Sequence, residues 1–236
     1  MLLYIIRHGD PIYDPDSLTE LGHKQAEALA KRMSVHGLDK IYSSPMIRAQ
    51  QTAEPTCRAL GLEYEIEEWA SENRAFEKFS VDFEGGRHTW CFSQQPTNFF
   101  NEETAKRDDW YNIEAFCGDA ETFKEDMERI TKGGDDFLAR LGYVREGMHY
   151  RVERPNDDRV ALFCHEGIST IWLSHLLNVP PQMLWSFIRF SHTGVTILNF
   201  LNYSNGITSP EVLCVSDLSH IYESGLPYTY KNKIKL

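Results

Sequence analysis

Two short apolar runs stand out from an otherwise mixed chain. Leu2-Leu3-Tyr4-Ile5-Ile6 and Val160-Ala161-Leu162-Phe163-Cys164 are continuous and end abruptly in polar residues. Runs of this kind predict strands buried on both faces, as in a parallel sheet. Elsewhere the apolar positions recur at helical spacing. Ala26, Leu29, Ala30 and Met33 follow Ser17-Leu18-Thr19-Glu20, a stretch of N-cap candidates, and Gly37 comes after them as a terminator. This predicts a helix to about Val35, entered from a polar loop over 11–16. Residues 40–43 read as a short second strand. Ser44-Pro45 then opens a helix, the hydroxyl as cap and the proline at its first position. Met46, Ala49, Ala53, Cys57 and Leu60 form its apolar stripe, and Pro55 is expected to kink or shorten it. Residues 62–66 offer a third strand.

From about Asn73 to Cys117 the periodicity fades. Phe76, Phe79, Trp90, Phe99, Phe100, Trp110 and Tyr111 are mixed with many polar residues, a composition too aromatic for disorder. The stretch is expected to be an insertion, either a cap over a pocket or a solvated excursion on the body. Phe123, Met127, Ile130, Phe137 and Leu141 then mark a long helix, which Gly133-Gly134 would bend. A linking segment with room for a hairpin covers 142–158. A helix through Ile171 to Leu177 follows the second apolar strand, and 195–201 and 212–215 read as late strands. The tail 228–236, with Lys231, Lys233 and Lys235, is expected to be loosely held. Strands alternating with helices predict an α/β fold. The expected form is a three-layer α/β/α sandwich around a mostly parallel sheet, one domain over 1–236 with a cap insertion at about 73–117.

Composition narrows the partners. A chain of 236 residues can bury a full core without metals or disulfides. Its formal net charge of -11 argues against nucleic acid or an anionic membrane as the main partner. An anionic ligand would then need a local basic pocket. Cys57, Cys91, Cys117, Cys164 and Cys214 are scattered and form no C-x-x-C pair, which points to free thiols in a reducing compartment and to no metal site. The N-terminal apolar run is too short for a signal peptide, and no run has transmembrane length. A cytoplasmic location is expected.

Candidate chemistry sits at the ends of the two apolar strands, Arg7-His8-Gly9 after the first and His165-Glu166-Gly167 after the second. Open α/β sheets bind ligands at the carboxyl ends of their strands. If these two strands are neighbours, His8 and His165 meet there. A neutral imidazole is a nucleophile, and Arg7 beside it disfavours the imidazolium and can grip phosphate oxygens. Gly9 would let the backbone approach a ligand closely. Taken singly, each residue reads equally well as a polar strand end.

Four elements in order carry a resemblance. They are Arg7-His8-Gly9; Leu18-Thr19-Glu20-Leu21-Gly22 with Gln25-Ala26; Ser43-Ser44-Pro45 with Arg48-Ala49 and Gln51-Thr52-Ala53; and His165-Glu166-Gly167. Together they resemble the histidine phosphatase superfamily, the phosphoglycerate-mutase-like proteins of branch 1. The match covers 2–61 well and 159–200 fairly. The resemblance implies that His8 is a nucleophile forming a phosphohistidine, with His165 also catalytic and Arg7, Arg48 and His165 lining a phosphate pocket. It implies no cofactor. It places a general-acid glutamate after the third strand, where Ser71-Glu72-Asn73-Arg74 offers Glu72. Glu166 is the rival, because a related acid-phosphatase branch carries an acidic donor after the second histidine. Arg74, Arg87, His88 and His192 are further candidates for substrate contact. The implied activity is metal-independent hydrolysis of a small phosphomonoester by a histidine acid-type phosphatase. A phosphoglycerate-type mutase is the alternative; such mutases carry a tyrosine-glycine and lysine-bearing stretch after the glutamate, which this chain lacks. A non-catalytic phospho-ligand-binding domain is disfavoured because His8, Arg7, Arg48 and His165 are all present. The aromatic residues of the insertion would serve a homodimer interface as well as a lid.

Overall fold

Leu2–Arg7 (β1) runs through the middle of a six-stranded sheet. The other strands are Lys40–Ser43 (β2), Tyr64–Ile66 (β3), Arg159–Cys164 (β4), Val195–Asn199 (β5) and Glu211–Asp217 (β6). Their order is β6-β5-β1-β4-β2-β3. The pairs β1–β4, β4–β2 and β2–β3 are parallel, whereas β5 and β6 add an antiparallel edge. The computed structural model describes residues 1–83, 86–116, 120–230 and 233.

Alternation along the central strands decides the layers. Leu3 and Ile5 of β1, with Val160, Leu162 and Cys164 of β4, face one core; Ile6, Ala161 and Phe163 face the other. Both sides of the sheet must therefore be covered. Helices α1 (Glu20–His36) and α2 (Ile47–Leu60) cover one side with Leu29, Met33, Ala53 and Cys57. On the other side, α4 (Ala120–Arg140) and α5 (Glu166–Leu177) bring Ile130, Phe137, Ile171 and Trp172. Helix α3 is Glu72–Phe79, α6 is Pro181–Phe187 and α7 is Ser219–Glu223. Each such large side chain taken from water contributes roughly 1.5–3 kcal/mol.

Several local expectations are corrected. Residues 11–16 are not a loop; Pro11–Tyr13 and Asp16–Leu18 form a hairpin. Among the cap candidates of 17–20, as expected, one caps α1: Thr19, its Oγ1 accepting from Gly22 N–H at 3.0 Å. Helix α2 begins at Ile47, and Ser44 is not its cap. Asp16 takes that role, accepting from Ile47 N–H at 2.7 Å. Pro55 neither stops nor shortens α2, because Ala49, Ala53 and Cys57 on either side of it are buried. That packing outweighs one lost ladder bond. Helix α4 likewise runs unbroken through Gly133-Gly134. Those glycines serve packing: a Cβ would stand 2.4 Å from Trp69 Cβ at Gly133 and 2.1 Å from Trp172 Nε1 at Gly134.

Most aromatic residues of 73–117 belong to the core. Phe79, Phe92, Phe99, Trp110 and Phe116 are buried in the same cluster as Phe123 and Trp185, and Trp110 meets Trp185 edge-on at 5.0 Å. Edge-to-face geometry adds to what burial alone supplies. Residues 142–158 hold the hairpin Tyr143–Glu146 with His149–Val152, joined by Ile207–Thr208. Cys57, Cys91, Cys164 and Cys214 are free thiols, while Cys117 lies outside the described residues, as do Lys231 and Lys235. No helix among the described residues is long and apolar enough to cross a membrane.

Candidate active site

The in-register pairing of β1 with β4 sets Arg7 opposite Cys164, so the two strand-end histidines are neighbours. His8 N–H donates to Cys164 O at 2.9 Å, and the His8 and His165 ring centroids are 5.1 Å apart. His8 Nδ1 lies 2.7 Å from Gly9 O. A carbonyl only accepts, so Nδ1 carries the proton and the lone pair is left on Nε2. Burial lowers the His8 pKa well below its ordinary value, and His165, Arg7 and Arg48 push it the same way. His165 is lowered too, first by burial and then by Arg48 and Arg7. Both rings are therefore neutral near pH 7.

The two arginines come from different elements, Arg7 from the end of β1 and Arg48 from the first turn of α2. Arg7 Nη1 donates to Phe190 O at 2.5 Å and pairs with Glu166 at 3.0 Å. Arg48 donates to Asp16 at 2.8 Å and to Glu72 at 3.1 Å. Arg7 Nε, Arg48 Nε and His165 Nδ1 are buried without a hydrogen-bond partner. Buried donors without partners are costly. Three of them around one imidazole make a place for an anion with several acceptor oxygens.

Glu72 opens α3 and turns its carboxyl into this group. Its Oε1 accepts from Gly167 N–H at 2.9 Å, and its Oε2 stands 3.5 Å from His165 Nδ1. Burial raises its pKa, against the opposing pull of Arg48 and Arg7. Gly167 has to be glycine: a Cβ there would meet Trp90 Cη2 at 2.6 Å and Glu72 Oε1 at 3.1 Å. Glu166, the rival carboxylate, faces the Arg7 side and is partly exposed.

His8, His165, Arg7, Arg48 and Glu72 are thus brought together. His192 joins them, its ring 5.6 Å from His8 and its Nδ1 3.4 Å from Asp10. Burial, with help from Arg7, lowers its pKa to about 3. Arg74 does not join; its side chain is 61% exposed and reaches Asp126, which Arg129 already holds in a fork. His88 sits on the hairpin Ser80–Phe83/Arg87–Trp90, bonded to Ser80 and Asp82. Arg87 is in the same hairpin, its side chain outside the described residues. Gly9 is also tightly packed: a Cβ there would stand 2.8 Å from Gly22 O.

Four contributors escaped the sequence pattern. Ser44 Oγ lies 2.7 Å from His165 Nε2 and fixes that ring. Thr52 Oγ1 accepts from Gly9 N–H at 2.9 Å and donates to Arg48 O at 2.7 Å, tying the nucleophile's turn to α2. Asp16 orients Arg48 while capping its helix. Thr193, at φ 54°, donates its N–H to Arg7 O at 3.1 Å and to His8 O at 3.2 Å. A β-branched residue at positive φ is strained. Only Ser44 and Thr52 lay within quoted motifs, and neither carried a sign of its partner.

A cavity of about 480 Å³ opens outward from Arg48 and Glu72, with Tyr13, Asp16, Asn73, Phe76, Thr89 and Trp90 among its walls. His8, Glu72 and His165 could also hold a metal ion, their ligand atoms lying within 4.8 Å of one another. Donors around a tetrahedral zinc are only about 3.4 Å apart, so such a site would have to contract. Two adjacent guanidinium groups also oppose a cation there and favour an anion.

Comparison with known proteins places the chain in a family. The family model described as "Histidine phosphatase superfamily (branch 1)" matches residues 3–211. The adenosylcobalamin/alpha-ribazole phosphatase of Escherichia coli is 26% identical over 196 residues, covering 79% of this chain and 84% of the relative. A phosphoserine phosphatase from Entamoeba histolytica, solved with 3-phosphoglyceric acid, superposes with a TM-score of 0.60 at 18% identity, over 93% of this chain and 98% of that one. A mycobacterial glucosyl-3-phosphoglycerate phosphatase superposes at 0.58 with 14% identity, over 92% and 99% of the two chains. Sheet and helices are shared with these solved structures.

Proposed function

The chain belongs to branch 1 of the histidine phosphatase superfamily, and from that premise we propose that it hydrolyses a small phosphomonoester through a phosphohistidine on His8. The observation that carries this reading is the free Nε2 of a neutral, buried His8 amid three unpartnered donors. Arg7 and Arg48 take the non-bridging oxygens of the phosphoryl group, with His165 Nδ1 as a third donor. In this reading no metal is required, because two guanidinium groups supply the charge that spreads over those oxygens in the transition state.

The chemistry balances in two steps. His8 Nε2 attacks phosphorus in line, the P–O ester bond breaks, and the alkoxide takes a proton from the Glu72 carboxyl. A raised Glu72 pKa keeps that proton available closer to neutrality. The Glu72 carboxylate then receives a proton from water as its oxygen attacks phosphorus. The P–N bond breaks and phosphate leaves. His165 is held by Ser44 with its Nδ1 toward the oxygens. The hairpin residues Thr89 and Trp90 with Phe76 wall the approach, which gives the segment 73–117 the role of a cap.

The test is capture of labelled phosphate on the protein during turnover. Label on His8, absent in His8→Ala together with activity, is the expected result. Label on a serine or cysteine refutes the mechanism. A mutase would release scarcely any free phosphate without added bisphosphoglycerate, whereas steady release is expected here, including in the presence of chelator.

A further inference from the structure

The cavity beyond Arg48 has a composition that selects what leaves with the phosphate oxygen. At about 480 Å³ it falls within the range, roughly 300–1,000 Å³, that houses a drug-sized molecule. Phe76 and Trp90 stand at 77° with centroids 5.2 Å apart, forming a corner of two aromatic planes. A flat ring placed there can stack on one plane and meet the edge of the other, both favoured aromatic geometries. Tyr13 lies at the rim, the Arg48 guanidinium 5.4 Å from its ring centroid. Phe76 is 37% and Tyr13 66% exposed, so apolar surface is left open at the mouth.

The charges of the same walls exclude one kind of occupant. Among the described residues that line it, Arg48 is the sole cation, and it already holds Asp16 at 2.8 Å and Glu72 at 3.1 Å. Its buried, unpartnered Nε is given to the phosphate in the reading above. A carboxylate on the leaving group would find no cation of its own and would lie beside Asp16. Neutral hydrogen-bonding groups would find Asn73 and Thr89.

We propose that the leaving group is a ring-bearing alcohol without negative charge, and that phosphorylated carboxylic acids such as 3-phosphoglycerate are poor substrates. This rests on the phosphatase reading and names the substrate class of that site. Phe76 and Trp90 are its specificity-determining residues, and the lack of a second cation among the described lining residues is its discriminating feature.

Three alkyl esters of similar leaving ability test it: 2-phenylethyl phosphate, glycerol 3-phosphate and 3-phosphoglycerate. The intact protein should show kcat/KM for the phenylethyl ester at least about tenfold above that for 3-phosphoglycerate, with glycerol 3-phosphate between them. Phe76→Ala should lower kcat/KM for the phenylethyl ester and shrink that ratio. Thr89→Lys, which supplies the missing cation, should raise turnover of 3-phosphoglycerate. Equal or better use of 3-phosphoglycerate by the intact protein, with hydrolysis proceeding, overturns the selectivity while leaving the phosphatase reading standing. Hydrolysis of none of the three, nor of 4-nitrophenyl phosphate, overturns both.

Discussion

Replacing Glu72 by glutamine separates the holding contacts of its carboxyl from the proton transfer proposed for it. The first is to hold: Oε1 accepts from Gly167 N–H at 2.9 Å and Oε2 from Arg48 at 3.1 Å. The second, in the proposed mechanism, is to give a proton to the departing alkoxide. Glutamine keeps an oxygen for Gly167 but turns an NH2 toward Arg48, losing one charge-assisted bond worth about 1.5–3 kcal/mol. That loss falls on every substrate alike. The proton is different. A positioned general acid contributes about 10²–10⁴-fold, and an alkyl ester needs all of it. A 4-nitrophenyl ester needs little, because its phenolate leaves unaided. In Glu72→Gln, kcat/KM, which covers the steps up to departure of the leaving group and not the later water step that Glu72 also serves, should therefore fall unequally for 2-phenylethyl phosphate and 4-nitrophenyl phosphate, the alkyl ester losing about 100-fold more or beyond. Equal losses would mean that Glu72 only holds Arg48. Glu166→Gln is the control, since its pair with Arg7 is partly exposed and such pairs contribute about 0–1 kcal/mol. A large loss confined to the alkyl ester in that variant would hand the proton to Glu166.

Two other outcomes follow from burial. His192 and His220, with pKa values lowered from 6.5 to about 3 and about 4, stay neutral in the native state while the unfolded chain takes up protons near pH 6.5. Their contribution to stability is complete above that pH and is lost as pH falls toward those lowered values. His8 and His165 act in the same direction. The urea midpoint should thus drop between pH 7.5 and pH 5, and a flat profile would contradict the neutral burial of these rings. Gly9→Ala puts a Cβ 2.8 Å from the Gly22 carbonyl, a backbone atom with no rotamer to escape to. It should cost about 1–3 kcal/mol in unfolding experiments without any ligand. Unchanged stability with only a raised KM would leave Gly9 the ligand-facing role alone.

What the pattern made legible was whatever repeats at short period. Leu2–Ile6 and Val160–Cys164 declared themselves as doubly buried strands, and with them the meeting of His8 and His165. Glu72 was found through resemblance, since nothing in its neighbours separates it from Glu65, Glu67 or Glu68. Interactions between distant segments were not legible. Asp16 caps a helix that begins at Ile47, Ser44 serves a histidine just past the end of another strand, and Gly133 and Gly134 make room for two tryptophans, Trp69 and Trp172. In each case a local rule offered a nearer role, and tertiary contact overrode it. The stretch 73–117 was hard to read for a related reason. Most of its aromatics bury themselves from a short helix, turns and a hairpin, which have no long period to detect.

The position of β1 has a consequence for how the protein is made. β1 is made before any other strand of its sheet, yet it is an interior one, and both its neighbours, Arg159–Cys164 and Val195–Asn199, come far later in sequence. Until they emerge, a nascent polypeptide carries an apolar ribbon with two open edges, the kind of segment that sticks to others or is sheltered by chaperones. Folding has to close a very long loop before that ribbon is zipped, so high contact order should make this step slow. Translation arrested before residue 159 would leave His8 without its partner histidine, so the proposed centre can form only after Arg159–Cys164 has been made.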